Sequence, residues 1–176
     1  MTTPGTVHLL CGPTGAGKTT YARQLAETEG AVRFSIDEWM SALFWMDAGD
    51  PFEPSWAMAR VQRCAALIWR TAKDVCVRGV PCVLEIGLTA AETRNRYAGL
   101  AREAGLPVRL HLVDAPVEVR WERVRARNAE AGEAGQLPFE LTREMFDFVE
   151  TMWEPPTDAE LAACDGVRAG ARRVPE

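Results

Sequence analysis

Two periods of apolar spacing, about 2 and about 3.6, take turns along this chain. The short apolar runs predict strands at about 6–11, 31–36, 80–86 and 107–113, with a fifth near 164–168. Between them, helical spacing predicts helices over about Lys18–Thr28, Pro54–Val77, Ala90–Ala104, Pro116–Arg127 and Thr142–Met152, plus a shorter one starting near Asp37. Alternating elements of this kind give an α/β fold, a parallel sheet covered by helices. Gly30 and Gly105 stand where helix C-caps are expected, and Asp114 before Ala115 and Pro116 reads as an N-cap opening. Val32, Arg33, Phe34, Ser35 and Ile36 alternate apolar and polar, which marks a strand near a sheet edge. No repeat or low-complexity tract interrupts the pattern. The one long loop expected is Asn128–Pro138, and the tail after Gly166 is expected to be unstructured.

At 176 residues the pattern fits one domain, which would bury roughly 70% of its unfolded surface. No apolar run approaches the roughly 20 residues that span a membrane, and the first residues lack the basic and apolar segments of a signal peptide. The expectation is a cytoplasmic protein with no membrane partner, a monomer or homodimer. The five cysteines are scattered and form no C-x-x-C pair, so they read as core thiols and not as disulfides or a zinc site. The formal charge of −5, with no basic run, weighs against a nucleic-acid partner without excluding a short basic groove.

One stretch changes the picture from fold to chemistry. GPTGAGKTT, Gly12–Thr20, follows the first strand, opens the first helix, and matches G-x-x-x-x-G-K-[ST]. Such a loop turns consecutive backbone N–H groups around a phosphate at a helix N-terminus. Gly12, Pro13, Thr14, Gly15, Ala16, Gly17, Lys18, Thr19 and Thr20 are the expected nucleotide contacts. Lys18 would reach the outer phosphates and the Thr19 hydroxyl would ligate Mg2+. The chain has two lysines, and one of them falls at this position.

Asp37 follows the second strand at the carboxyl edge of the sheet, where open α/β sheets bind ligands. It can serve as a general base toward an acceptor hydroxyl, or as the N-cap of the helix that follows; Glu38 is the alternative carboxylate. The buried run ending in Glu85 offers a second carboxylate, either for the magnesium shell or for orienting the acceptor. In VRWERVRARN, Val117, Trp121 and Val124 form an apolar face beside an Arg120, Arg123, Arg127 stripe. Arg123 and Arg127 suit a lid, at about 120–140, closing over the transferring phosphate, while Arg120 and Arg125 read as solvated. The segment with Trp39, Met40, Phe44, Trp45, Met46, Phe52 and Trp56, together with Asp50 and Glu53, suits an acceptor pocket in which Trp39, Trp45 and Trp56 line the substrate. Arg94 and Arg96 could approach the same mouth, and His8 and His111 read as structural.

GPTGAGKTT, FSIDEWM, VLEIGLTAAETR, HLVDAP, VRWERVRARN and FVETMWEPPTDAE together resemble the P-loop kinase superfamily. The similarity is to the branch of small AAA_33-like proteins related to polynucleotide kinase, chloramphenicol phosphotransferase and zeta toxins. The resemblance implies a three-layer α/β/α fold with a five-stranded parallel sheet in the order 2-3-1-4-5. It also implies Asp37 as base, ATP and Mg2+ on Lys18 and Thr19, and Arg127 as the leading lid arginine. Relatives often carry Asp where this chain has Glu85. The function expected is transfer of the ATP γ-phosphoryl group to a hydroxyl of a small molecule such as an antibiotic, nucleoside or sugar nucleotide. A polynucleotide 5′-hydroxyl kinase and a slowly hydrolysing signalling module are the alternatives. No N-K-x-D base-reading motif is present, which favours ATP over GTP.

Overall fold

Val7–Cys11 forms β1 with every residue buried, as a strand covered on both faces must be. The computed structural model describes residues 2–49, 53–129 and 140–170. Asp50, Phe52 and most of the segment expected as loop and lid, 130–139, lie outside the described residues.

The remaining strands are β2 (Val32–Ser35), β3 (Cys82–Glu85), β4 (Val108–Asp114) and β5 (Val167–Gly170). All neighbours run parallel, in the order β2-β3-β1-β4-β5. The β2 segment with alternating polarity is indeed an edge strand. The register sets Ser35 of β2 against Glu85 of β3, so residues just after both strands emerge side by side at the carboxyl edge. Strand β1 lies between β3 and β4, and the chain runs from it through a helix to β2 on one side before crossing back to β4 on the other. The loop after β1 therefore sits at the switch point of the sheet.

Helices α1 (Lys18–Glu29), α2 (Ile36–Leu43), α3 (Pro54–Val77), α4 (Ala91–Glu103), α5 (Val117–Ala129), α6 (Arg143–Thr151) and α7 (Asp158–Ala163) connect these strands. The α3 bounds coincide with those expected, because Pro54 pre-sets the first turn. Its buried residues Cys64, Ala65, Ile68, Ala72 and Cys76 recur at helical spacing. They pack with Val7, Leu9, Cys11, Leu84, Tyr97 and Leu110 in the larger core cluster, on the sheet face under α3 and α4. Ile68, fully buried there, contributes about 1.5–3 kcal/mol by leaving water. Leu10 and Val83 point to the opposite face and meet Ala22 of α1. A satellite cluster of Val124, Leu141 and Phe146 joins α5 to α6. All five cysteines are free and buried, and no described helix is long and apolar enough to cross a membrane.

Two expectations change. The fifth strand begins at Val167, so the first residues of the supposed tail are structured: β5 is a short edge strand whose place comes from pairing with β4, not from its own apolar pattern. Helix α7 was not expected, although TDAE carries a capping-box spacing; the Thr157 hydroxyl accepts from the Glu160 backbone N–H at 3.1 Å. Asp114 accepts from the adjacent Ala115 N–H at 2.7 Å in the turn that leads into α5.

The two histidines occupy the α1 side of the sheet. His8 Nδ1 lies 3.0 Å from His111 Nε2, and the Tyr21 hydroxyl 2.8 Å from His111 Nδ1. Burial lowers both imidazoles, His111 to about 3, so the pair stays neutral across physiological pH.

Candidate functional site

The loop after β1 is shaped by backbone that only glycine can supply. Gly12 and Gly15 have positive φ, and a Cβ on either would run into the Val113 or the Arg120 carbonyl oxygen. The loop is thereby pressed between the end of β4 and the start of α5. Helix α1 then begins at Lys18 with no side-chain cap and no acid in its first turn. Its N-terminal N–H groups are left for an anion, and the local dipole favours one. Lys18 curls back over the loop, donating from Nζ to the Gly12 and Pro13 carbonyl oxygens at 2.8 Å each. Burial holds the ammonium below the usual lysine range, opposed by the negative charges of Asp37 and Glu85.

Helix α2 is capped by Ser35, whose hydroxyl accepts from the Glu38 N–H, so the capping role considered for Asp37 is already filled. Asp37 stands in the first turn of that helix and is exposed. Desolvation raises its carboxyl above the usual aspartate value, while Lys18 and Arg127 pull it back down. Lys18 of the phosphate loop and Arg127 of α5 are thus the cations whose charge acts on Asp37.

The arginines of α5 separate by role. Arg120, expected to be solvated, is 3% exposed. It holds Glu150 of α6 through two bonds at 2.6 Å, donates to the Thr14 carbonyl at 3.1 Å, and so ties α5, α6 and the phosphate loop together. Arg123 donates to the Ala16 carbonyl at 3.1 Å and lies along the loop. Arg127 is half-buried one turn further on, and Arg125 is exposed. The i, i+3, i+7 spacing places these three guanidinium groups along one side of the helix, against the loop and toward Asp37.

Glu85 closes the other side. Its Oε1 accepts from the Thr19 hydroxyl at 3.0 Å, and its Oε2 accepts from Arg33. Arg33 appeared in the sequence only as a polar position of an edge strand. Its partners are 52 positions away at Glu85 and five away at Glu38, a pairing that no local pattern announces.

The substrate expectation for Arg94 fails. The side chain is 1% exposed, donates to Glu160 of α7 at 2.6 and 3.2 Å and to the Thr89 carbonyl at 3.0 Å, and lies over the Trp153 ring. Arg94→Ala should therefore destabilise the fold by about 3–5 kcal/mol, because a buried carboxylate loses its partner, while nucleotide affinity stays unchanged. Urea unfolding and nucleotide titration of the same preparation check both halves. Arg96 is exposed and lies over Tyr97.

Among the aromatic residues, Trp39 turns edge-on to Phe34 with centroids 6.2 Å apart and packs on the core. Trp45 forms part of a single 3-10 turn, Trp45–Asp47, and Met46 beside it is 88% exposed. Trp56 lies under Arg60, whose guanidinium is 3.9 Å from the ring centroid and 5.7 Å from that of Phe44. Arg60 was not singled out by sequence; its spacing of four from Trp56 on one helix is the signal that could have found it. A separate cavity of about 440 Å3 opens beside the loop, lined by Pro13, Asp114, Ala115, Pro116, Val117, Arg120 and Trp153. Neither Asp37 nor Lys18 lines it.

The donors fit a magnesium nucleotide. Thr19 and Glu85 offer hard oxygen ligands. No cluster of three or more His, Cys, Asp or Glu exists among the described residues to enclose a metal by itself, so phosphate oxygens and water would complete the shell.

The family model of AAA_33, described as an AAA domain, matches residues 7–152. None of the curated proteins matches the sequence. Among solved structures, Chaetomium thermophilum Kti12 in complex with ADP-AlF3 has a TM-score of 0.68 at 18% identity, over 94% of this chain and 89% of that one. An APS kinase from Mycobacterium tuberculosis in complex with AMPPNP and APS has a TM-score of 0.60 at 18% identity, over 97% and 91%. A gluconokinase from Sinorhizobium meliloti 1021 has a TM-score of 0.55 at 16% identity, over 99% and 86%. The shared architecture is the three-layer α/β/α fold with a five-stranded parallel sheet.

Proposed function

We propose, for a chain that belongs to the AAA_33 family, an ATP- and Mg2+-dependent phosphotransferase that moves the γ-phosphoryl group to a hydroxyl of a small-molecule acceptor. The observation that carries this reading is the position of Asp37, within the electrostatic reach of both Lys18 and Arg127 beside an uncapped, glycine-shaped phosphate loop. Nucleotide-bound relatives with the same fold support the cofactor.

In this reading the loop N–H groups and Lys18 hold the phosphates, Lys18 leaving the Gly12 and Pro13 carbonyls as it takes up charge on the nucleotide. Thr19 and Glu85 hold the metal side, where bound Mg2+ supplies charge neutralisation on the phosphates. Arg123 stays along the loop and Arg127 meets charge that develops on the transferring group. Asp37 accepts the acceptor's hydroxyl proton, and the raised pKa of its carboxyl makes it a stronger base than an ordinary aspartate. Trp45 and Trp56, with Trp39 behind them, wall the acceptor side.

Incubation with ATP labelled at the γ-phosphate, Mg2+ and pooled antibiotics, nucleosides, sugar nucleotides and 5′-hydroxyl oligonucleotides tests this. Label should appear as an ester on a small acceptor. Label found only in inorganic phosphate would contradict transfer, and label on oligonucleotides, falling steeply with salt, would move the acceptor to nucleic acid.

A further inference from the structure

Arg33 takes no part in the chemistry above, yet it stands at the centre of the polar network of the site. Its guanidinium, 14% exposed on β2, donates through Nη1 to Glu85 Oε2 and through Nη2 to Glu38 Oε1. Glu85 uses its other oxygen to accept from the Thr19 hydroxyl at 3.0 Å. Glu38 immediately follows Asp37 and has a second, looser partner in Arg23 at 3.5 Å. An unbroken chain of charge-assisted contacts thus runs from Thr19 at the start of α1, through Glu85 and Arg33, to the turn of α2 that carries Asp37.

Each link has a direction. A threonine hydroxyl has one hydrogen and two lone pairs. When Glu85 takes that hydrogen, the lone pairs are left facing away from the carboxylate. Glu85 can keep this orientation only while its second oxygen is held. The carboxylate is 9% exposed, so without a cation it would be a buried unpaired charge and would turn away from Thr19 toward water. A guanidinium supplies two parallel N–H arms in a fixed plane and can hold two carboxylates at once, which an ammonium cannot do with the same geometry.

We propose that Arg33 is a positioning residue for nucleotide-bound Mg2+, an inference that rests on the phosphotransferase reading. Arg33 fixes Glu85 so that Glu85 takes the Thr19 hydrogen and leaves the hydroxyl oxygen to the metal, and it ties that arrangement to the first turn of α2 through Glu38. Glu85 then belongs to the metal side of the site and makes no contact with the acceptor.

The test titrates Mg2+ against AMPPNP binding, followed by calorimetry, for the wild type, Arg33→Met, Arg33→Lys, Glu85→Gln and the Arg33→Met/Glu85→Gln double variant. Loss of an outer partner of a metal ligand costs about 10–100-fold in metal affinity. Arg33→Met should raise the Mg2+ concentration at half-saturation about tenfold, with binding in EDTA unchanged. The double variant should be no worse than the weaker single variant, because both act on one link. Arg33→Lys retains the charge and serves if Arg33→Met does not fold; it should also shift the Mg2+ midpoint upward. A residue that merely supported the fold would lower the melting temperature and leave that midpoint in place. Folded Arg33 variants with the wild-type midpoint would overturn the inference and leave the phosphotransferase reading intact. Wild-type protein that binds no AMPPNP at any Mg2+ concentration would overturn both.

Discussion

Asp37→Asn should lower the acceptor-dependent rate by about 10²–10⁴-fold, the usual contribution of a positioned general base, while leaving ATP binding intact. It should do so without weakening the fold. Desolvation raises the Asp37 carboxyl above its ordinary value of 3.8 despite the two cations that favour ionisation. A carboxyl whose folded-state pKa is raised stabilises the fold in its protonated form. That contribution is complete below the unfolded value and is lost as pH rises through the folded one. Asp37 is exposed, so solvent screens this contribution, and melting curves of the variant and the wild type should nearly coincide. A base with a raised pKa also moves the acid limb of the wild-type pH–rate profile above the range of an ordinary aspartate. A profile with its limb at or below pH 3.8 would remove Asp37 from the mechanism.

Lys18→Met should be comparably severe but in a different parameter. Lys18 makes the shortest of the contacts to the loop carbonyls, at 2.8 Å to Gly12 and Pro13, and can exchange them for phosphate oxygens. Removing one preorganised charge from a transition state of this kind costs about 10²–10³-fold in rate. Nucleotide affinity should fall as well, because ground-state phosphates use the same ammonium. Burial already disfavours the charged lysine, so methionine should be tolerated by the fold. The diagnostic is the contrast between the two variants: the rate falls with ATP binding kept at Asp37, and both fall at Lys18. Isothermal titration with ATP, beside steady-state rates, separates them.

These two residues were legible in the sequence because the constraints on them are local. Gly12 to Thr19 form one contiguous motif between a strand and a helix, and Asp37 directly follows a strand of alternating polarity. The same holds for α3, whose Pro54 start and regular apolar spacing are complete within the segment. What the sequence did not yield was decided by partners far along the chain. Arg94 and Arg120 look like surface arginines on amphipathic helices until Glu160 and Glu150 are brought to them, and each then becomes buried structure. Arg33 reads as an ordinary outward-facing strand position until β2 pairs with β3, where its register partner is Val83 and its long side chain reaches Glu85 two positions further on. β5 has too few apolar residues to announce itself and owes its place to β4. The α7 cap was written locally, in Thr157 and Glu160, and could have been read.

The most direct test of the account is ADP release from Mg-ATP by wild type and Asp37→Asn, with and without the acceptor pools. The account predicts that one pool of small hydroxyl compounds stimulates release by the wild type and that Asp37→Asn abolishes the stimulation while keeping its ATP affinity. Slow release indifferent to every pool and to the substitution would contradict it and leave a nucleotide-hydrolysing module in its place.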